Sequence, residues 1–424
     1  MSAKNSKRSK TDLPFIHAGF LVLLTLVLLS SPFHANAINA VSGDHHHPEE
    51  HHSEDHIEEH MHEASGEHHG SETSHGHEAH AEEDHSAHDE GFNAGKMIMH
   101  HISDANAFHI VGDIYIPLPV IIYNKTEGSW FTGFSTAFDV DHHGDSRNIV
   151  DGWAMFHGRV KPAQLEHKEG ESTHIVPDEN VAFIDFSITK NVFTMLLTSI
   201  LLIIIFSAVA KGYRRREGQA PKGIQGFFEP IVLFIRDEVA KPYLGKKTEV
   251  YMPFLLTLFF FIWVINLLGL IPIFPGSANV TGNIMVTAAL AFIVLVIILY
   301  RANKDFWKHI LMPDVPLWLY PIVVPIEVIG IFTKPFALMV RLFANIAAGH
   351  IIILSLVSLV FIFGNSGESL SGGITGGLVT TAFGLFMNVM ELLVAAVQAF
   401  IFTNLSAVFI GLAIEEHHEH AEHH

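Results

Sequence analysis

Long apolar segments constrain this chain more than any other feature of its sequence. Beyond residue 190, runs rich in Leu, Ile, Val and Phe cover about residues 192–210, 252–271, 284–300, 317–363 and 374–414. A helix needs roughly 20 apolar residues to cross the hydrocarbon core of a bilayer. The pattern therefore predicts an all-α polytopic membrane protein with about five membrane-embedded helices. The chain has no cysteine, which excludes a disulfide framework and thiol chemistry.

The last two apolar runs are too long to stand upright in a membrane. As one helix with a rise of about 1.5 Å per residue, residues 317–363 would measure about 70 Å. That length is more than twice the roughly 30 Å hydrocarbon core. A Gly/Ser-rich stretch at 364–377, which contains no Lys or Arg, separates the two runs. We therefore predict that both helices tilt steeply or lie nearly in the membrane plane, packed as a hairpin.

Basic residues set the predicted orientation of the membrane domain, which we assign to residues 188–414. One basic cluster at 211–216 follows the first run and another at 301–308 follows the third, whereas the loop at 272–283 has no Lys or Arg. Basic loops face the cytoplasm in most membrane proteins. Residues 222–250 mix Phe and Ile with charges, which indicates an amphipathic helix on the cytoplasmic membrane surface. Five crossings that start outside place the C-terminus in the cytoplasm.

The N-terminal segment has the features of a secretory signal peptide, which we assign to residues 1–37. It begins with basic residues, continues with an apolar core, and ends with the small-x-small sequence Ala35-Asn36-Ala37. The alternative is an uncleaved membrane anchor. Both hypotheses place the following segment outside the cytoplasm. We expect residues 93–187 to form an extracytoplasmic, β-rich region, with strands near 108–123 and 130–140 that are bounded by Gly, Pro and Asn.

Residues 38–92 form a tract of His, acidic, Gly and Ser residues. Within 44–90 there are 16 acidic side chains, 15 histidines and no Lys or Arg, so this tract supplies most of the net charge of −19. Because it has little to bury, it cannot offset its ordering entropy and is predicted to be disordered. It could bind Zn²⁺ or Cu²⁺, buffer protons, or be a solvated tail, and residues 415–424 repeat its composition. The metal-ligand candidates are His45, His46, His47, His51 and His52.

Ionisable residues within the last two runs carry the functional information, because a charge at mid-bilayer costs at least about 2.5–3.5 kcal/mol. At about 100° per residue, Glu327, Lys334 and Asn345 lie within about 40° of Arg341 on one helix face. His350 lies on the opposite face of the same helix. On the last run, Glu391 and Gln398 share a face. Antiparallel packing would bring His350 against Glu391, and such a pair can relay protons.

These residues stand in a motif that resembles a known family. The stretch KPFALMVRLFANIAAGHIIILSL at 334–356 resembles the signature helix of ATP synthase subunit a, with its pattern K-P-x5-R-L-F-x-N-x3-G-[E/H]. FIDFSITKNVFTMLL at 183–197, NLLGLIP at 266–272 and VQAFIFTNLSAVFIG at 397–411 resemble other segments of the family in the same order. The resemblance covers about residues 183–414.

The resemblance implies roles for individual residues. Arg341 would be the essential arginine that faces a rotating ring of c subunits, each with a membrane carboxylate. Asn345 and Gln398 would be its polar neighbours. His350 and Glu391 would be the acid–histidine pair of the half-channel that admits protons, with acid and histidine exchanged between the two helices relative to some members.

Other positions follow from the same resemblance. Glu327 would lie near the exit half-channel, although it could also be a solvated residue at a helix start. Lys334 could simply reach for the membrane surface. Gly269 departs from members that have an acid there. The outer mouth would be lined by Asn266, Ser277, Asn279, Thr281 and Asn283.

The resemblance also implies partners and location. The chain would be a proton-conducting stator subunit without a catalytic site or cofactor, in a bacterial inner membrane. It would contact membrane lipid, c-ring subunits, b-type peripheral stalk subunits and, through them, the soluble ATPase sector. The sequence has no P-loop pattern and no basic patch for nucleic acid. The rival hypotheses are a secondary transporter for a metal or another cation, and an extracytoplasmic metal-binding protein with a membrane anchor.

Overall fold

The computed structural model describes residues 95, 98, 102–111, 114–141, 144–167, 174–216, 218–271, 274, 276, 278–313, 315–364 and 369–415. The predicted signal peptide and the histidine-rich tract lie outside the described residues, and so does the C-terminal tail beyond Glu415. The metal-binding hypothesis for that tract therefore stays a prediction, together with its ligand candidates His45, His46, His47, His51 and His52.

Short antiparallel strands precede the first membrane helix. They are β1 (Ala107–Val111), β2 (Ile114–Pro117), β3 (Pro119–Asn124), β4 (Ser129–Phe134), β5 (Trp153–Phe156), β6 (Arg159–Glu166), β7 (His174–Pro177) and β8 (Phe183–Asp185). They form three small sheets, with strand orders β1-β2, β4-β3-β8 and β5-β6-β7. The prediction of a β-rich region is confirmed to the extent of these sheets.

The strand boundaries differ from those predicted, for a local reason. Proline cannot donate to a strand ladder, and the sequence Pro117-Leu118-Pro119 divides the first predicted strand where the chain leaves β2 and begins β3. The amide of Leu118 donates instead to the Ser135 hydroxyl, at 3.1 Å. The second predicted strand stops at Phe134, because the chain then turns through the 3₁₀ helix Ser135–Ala137.

The β region is joined directly to the membrane domain. The guanidinium of Arg159 on β6 contacts Asp104 at 3.2 Å and Asp185 at 3.1 Å, and all three side chains are largely buried. The Asp104 carboxylate also accepts from the amide of Asn191, at the start of the first membrane helix. Because a buried pair is costly to break, this network fixes the β region to the N-terminal end of that helix.

The first membrane helix is α1 (Lys190–Arg215), and its ends follow from the sequence. The Thr189 hydroxyl caps it by accepting from the amide of Val192 at 3.4 Å. Arg214 and Arg215 lie in its last turn, where positive charge is favourable.

The predicted surface segment contains α2 (Ile224–Phe234), a π-helical stretch (Ile235–Ala240) and α3 (Lys241–Leu244). Gly245 then breaks the helix, because its backbone adopts φ +50°, which other residues avoid. The chain continues into α4 (Thr248–Gly269), α5 (Ile284–Arg301) and the short amphipathic α6 (Lys304–Leu311), which the sequence analysis missed. Phe260 and Ile262 of α4 are fully buried in the membrane-domain core.

The chain ends in two long antiparallel helices, α7 (Tyr320–Phe363) and α8 (Leu370–Ile414). The Gly/Ser stretch predicted as a loop is shorter than expected, since α8 begins at Leu370 with Ser369 as its cap. Glycine inside α8 serves helix packing: a Cβ at Gly376 would lie 3.1 Å from the carbonyl oxygen of Leu359 on α7. Among the described residues, five segments are long and apolar enough to cross a membrane, which confirms the predicted number.

Candidate functional site

The helical hairpin brings a histidine and an acid together. His350 Nδ1 on α7 lies 2.9 Å from Glu391 Oε1 on α8, with side-chain exposures of 17% and 4%. The same nitrogen is 3.1 Å from the carbonyl oxygen of Ile346, and Nε2 is 3.4 Å from that of Gly269 at the end of α4. The pair therefore lies where three helices meet. Neither carboxylate oxygen of Glu391 has a well-directed hydrogen bond from a described residue, so the contact is a close approach of two groups that becomes an ion pair only when the imidazole is protonated.

Two glycines provide the space for this pair. A Cβ at Gly349 would approach Glu391 Oε1 to 2.8 Å and its Cδ to 3.0 Å, which is closer than such atoms pack. A Cβ at Gly269 would lie 3.2 Å from the carbonyl oxygen of Ala278 and 3.8 Å from His350 Nε2. Gly269 was predicted only as a departure from the family, and Gly349 was present only as an unnamed position of the motif. Neither was assigned a packing role from the sequence, because the close approach exists only between helices.

The opposite face of α7 presents an uncovered cation. Arg341 and Asn345 are exposed, one helical turn apart, and share this face with Ala344 and Ala348, which are also exposed. Within the described part of the chain, Arg341 has no hydrogen-bond acceptor and no ion-pair partner. An unpaired charge inside an apolar helix is costly, and the described part of the chain supplies no partner for Arg341, so this face is a candidate for contact with another molecule.

Gln398 lies on the same face of α8 as Glu391. It is buried on α8, on the stripe that also contains Glu391, Ala395 and Phe402. This stripe packs towards α7 and α4. Within the described residues, Gln398 and Arg341 form no hydrogen bond with each other. The structure therefore does not join these two predicted neighbours directly.

A cavity of about 250 Å³, lined by both charged and apolar side chains, lies where α7 begins and α8 ends. Glu327 and Lys334 of α7 line it together with Asp305, His309 and Glu415. The ammonium of Lys334 also lies 5.9 Å from the ring centre of Phe409 on α8. Asp305, His309 and Glu415 were not among the predicted site residues. The sequence does contain a signal for α6, the amphipathic run that follows Arg301.

The predicted outer-mouth residues are held by hydrogen bonds. Thr281 donates to the side-chain oxygen of Asn266 at 2.5 Å, which links the α4 end to the following loop. Asn279 accepts from the amide of Gly282 at 3.1 Å. Asn283 caps α5 by accepting from the amide of Met285 at 3.0 Å. Ser277 lies outside the described residues.

One polar atom among the predicted outer-mouth residues has no hydrogen-bond partner in the described part of the chain. Asn266 Nδ2 is buried and has no acceptor among the described residues. A buried amide without a partner costs roughly 1–3 kcal/mol, unless a water molecule accepts from it. Asn266 is therefore the predicted mouth residue best placed to hold water between the loop and the helices.

These features define an integral membrane protein whose longest helices carry ionisable groups of the kind found on ion pathways. Its hairpin has a buried imidazole–carboxylate pair on one side of α7 and an uncovered guanidinium on the other. A sequence profile described as "ATP synthase A chain" matches residues 192–411, which is more than half of the chain. The chain therefore belongs to the ATP synthase A chain family. A second profile, described as a domain of unknown function (DUF8433), matches residues 97–186.

Curated relatives agree with this assignment. ATP synthase subunit a of Chloroherpeton thalassium is 45% identical over 257 residues, covering 59% of this chain and 74% of that protein. The subunit a of Chlorobium phaeobacteroides strain BS1 is 37% identical over 340 residues, covering 78% of this chain and 80% of that protein. The subunit a of Myxococcus xanthus is 40% identical over 273 residues, with coverages of 63% and 84%.

Proposed function

We propose that this chain is the proton-conducting stator subunit of the membrane sector of a rotary ATP synthase. One observation carries the proposal: Arg341 is uncovered on a membrane helix and has no partner within the described chain. In this proposal its partner is a carboxylate on each passing subunit of a c ring. The chain itself performs no ATP chemistry, which takes place on the soluble sector.

The role of Arg341 follows from electrostatics. A positive charge within about 4–6 Å lowers the pKa of a carboxyl group by about 1–3 units. A protonated ring carboxyl that reaches Arg341 would therefore release its proton to the exit side. The same charge repels protons, so it would block direct passage between the two half-channels. Asn345 on the next turn and Gln398 on α8 would hold water or hydrogen-bond the arriving carboxylate.

Protons would arrive through the His350–Glu391 pair. Imidazole and carboxylate groups are both common proton carriers, and the 2.9 Å separation of this pair lies within the reach of direct proton transfer. Asn266, Asn279, Thr281 and Asn283 would form the outer mouth above the pair, with Ser277 in the same loop.

Protons would leave through the cytoplasmic cavity. Glu327 and Lys334 line it with Asp305, His309 and Glu415, so it offers several groups that can carry a proton to water. Along α7, at about 1.5 Å per residue, Glu327 is about 21 Å from Arg341 and His350 is about 14 Å from it on the other side. This spacing supports two offset paths, each reaching one membrane face.

The proposal includes an orientation and partners. The N-terminal region would be extracytoplasmic and the C-terminus cytoplasmic, in a bacterial inner membrane, since Arg214, Arg215 and Arg301 end helices on the proposed cytoplasmic side. Besides the c ring, b-type peripheral stalk subunits would hold the chain stationary against the soluble ATPase sector.

The test is Arg341→Ala in the assembled enzyme, measured as ATP-driven proton pumping in inverted membrane vesicles. We expect pumping to be lost while the chain stays in the complex. The matched control is Arg301→Ala, an exposed arginine at the end of α5 whose guanidinium lies 5.7 Å from the ring centre of Tyr300. The control should pump normally. Normal pumping by an assembled Arg341→Ala enzyme would refute the proposal.

A second variant tests whether the positive charge at position 341 is sufficient or whether the shape of the guanidinium is also needed. Arg341→Lys keeps the positive charge but loses the planar guanidinium that can pair with both carboxylate oxygens. Because the charge barrier remains, we expect passive proton leak to stay low in Arg341→Lys vesicles and to rise in Arg341→Ala vesicles, while pumping falls in both. Leak can be measured as the decay of an imposed pH gradient in vesicles without ATP, in which ATP hydrolysis does not drive rotation of the ring.

A further inference from the structure

The sheet β4-β3-β8 is apolar on both of its faces. On the inner face, Val120 and Ile122 are fully buried and pack with Trp153 and Met155 of β5. An antiparallel sheet in water commonly covers one face and exposes a polar one. The outer face of this sheet does not follow that rule, and it is therefore the strongest unexplained surface of the β region.

The strand register defines the outer face. Ile121, Tyr123 and Ile184 lie on it together with Trp130 and Phe134, since cross-strand partners share a face. Trp130 is 61% exposed and Phe134 57% exposed. We call this surface, completed by Phe186, the aromatic face; it consists of Ile121, Tyr123, Trp130, Phe134, Ile184 and Phe186.

The aromatic face is continuous. The ring centres of Tyr123 and Trp130 are 4.9 Å apart, and those of Trp130 and Phe186 are 5.8 Å apart. None of its six members carries a charge. Thr132, the cross-strand partner of Ile121, adds only a hydroxyl between the two exposed rings of β4. Contiguous apolar surface of this kind marks an interaction site.

The aromatic face lies close to the start of the first membrane helix, and this position indicates which partner it contacts. Phe186 precedes Lys190, the first residue of α1, by four residues, which is at most about 13 Å of extended chain. Backbone hydrogen bonds from Phe186 to Ile121 (2.8 Å) and from Ile188 to Pro119 (3.0 Å) continue the sheet pairing almost to the helix. The face is therefore attached without a flexible linker to the point where the chain enters the bilayer.

We propose that the aromatic face lies on the outer surface of the membrane, with its rings at the boundary between lipid headgroups and acyl chains. Trp and Tyr are enriched at this depth, because each has an apolar ring with one polar atom. The occupant of the face is lipid. The β region would then be held at the membrane both by the Arg159 network and by its own aromatic face. This inference does not depend on proton conduction.

The absence of cysteine from the chain permits a direct test. Thr132→Cys places a single thiol between Trp130 and Phe134 on the aromatic face, and Gln164→Cys places one on exposed β6 of the other sheet as the matched control. Each is labelled with a nitroxide in the full-length chain within the enzyme complex, reconstituted in lipid vesicles. Collision with oxygen and with a water-soluble nickel chelate then reports depth by electron paramagnetic resonance.

We expect the label at position 132 to collide mainly with oxygen, at a depth of about 5–10 Å into the boundary region, and the label at 164 to collide mainly with nickel. Nickel access at 132 equal to that at 164 would overturn the proposal. Exclusion of both reagents at 132 would also overturn it, because the face would then be covered by another protein.

A second measurement avoids a label on the face. Vesicles made with lipids brominated near the top of the acyl chains quench tryptophans at that depth. The quenched fraction of the unmodified chain should exceed that of Trp130→Phe, since this variant keeps an aromatic ring but removes the reporter. Equal quenched fractions would show that Trp130 does not contact lipid, whatever the cysteine variants do.

Discussion

The Gly349→Ala substitution would press a methyl group against the acid of the buried pair. Its Cβ would lie 2.8 Å from Glu391 Oε1 and 3.0 Å from Cδ, so the carboxyl group must move by roughly half an ångström or more to reach ordinary contact. The 2.9 Å approach of His350 Nδ1 to Glu391 would then lengthen. Direct proton transfer between two side chains needs a heavy-atom separation of about 2.6–3.2 Å.

The expected magnitude can be set against the helix propensity of alanine. Overpacking of this kind costs about 1–3 kcal/mol, whereas Gly→Ala inside a helix gains up to about 1 kcal/mol. Suppose that the net cost is about 1.4 kcal/mol and that it raises the free energy of the conformation that transfers the proton. Proton flux then drops about tenfold. We therefore expect Gly349→Ala to slow ATP synthesis driven by an imposed proton gradient by about one order of magnitude.

The controls come from the same two helices. A Cβ at Gly330 on α7 or at Gly384 on α8 would meet no atom within 4 Å. Gly330→Ala and Gly384→Ala should therefore leave synthesis unchanged. In a Glu391→Gln background, Gly349→Ala should add little further loss, because the carboxylate whose placement it disturbs is already absent. Equal rates for Gly349→Ala and Gly330→Ala, with normal assembly, would refute the reasoning.

Three further predictions address other parts of the molecule. The double variant His350→Glu with Glu391→His should retain more proton pumping than either single variant, since it restores the pair with its members exchanged. Glu327→Gln should lower pumping partially without loss of assembly, because other groups still line the cavity. Arg159→Ala should destabilise the β region by about 3–5 kcal/mol through its two buried carboxylates, measured as faster limited proteolysis there, whereas exposed Arg147→Ala should not.

The membrane helices could be predicted from the sequence because the length of an apolar run can be counted directly along the chain. The length of the two long runs predicted a steep tilt, and the stretch that separates them predicted a hairpin. The helical period placed Arg341 and His350 on opposite faces. The boundary of α8 could not be predicted in the same way. Glycines such as Gly376 indicate a loop when considered locally, but here they allow close helix packing that stabilises a helical segment.

The cavity that contains Glu327 and the β region could not be predicted in full from the sequence. The cavity at the start of α7 combines Asp305 and His309 with Glu327 and with Glu415, which directly follows α8. These residues come from three separate helices, and no spacing rule within one helix relates them. The β region was harder still, because strands as short as β8 (Phe183–Asp185) have too few residues for their alternation to be recognised.

The opposite environments of Arg341 and His350 have a common cause. They are nine residues apart, which is half a turn beyond two full turns of an α-helix, so packing that buries one must uncover the other. The hairpin and α4 enclose His350 and Glu391, and the other face of α7 is left without a neighbour in the described chain. Lipid would not stabilise a guanidinium there, since a charge at that depth costs at least about 2.5–3.5 kcal/mol. A protein surface that carries negative charge would, which is the kind of partner that the proposed function assigns to Arg341.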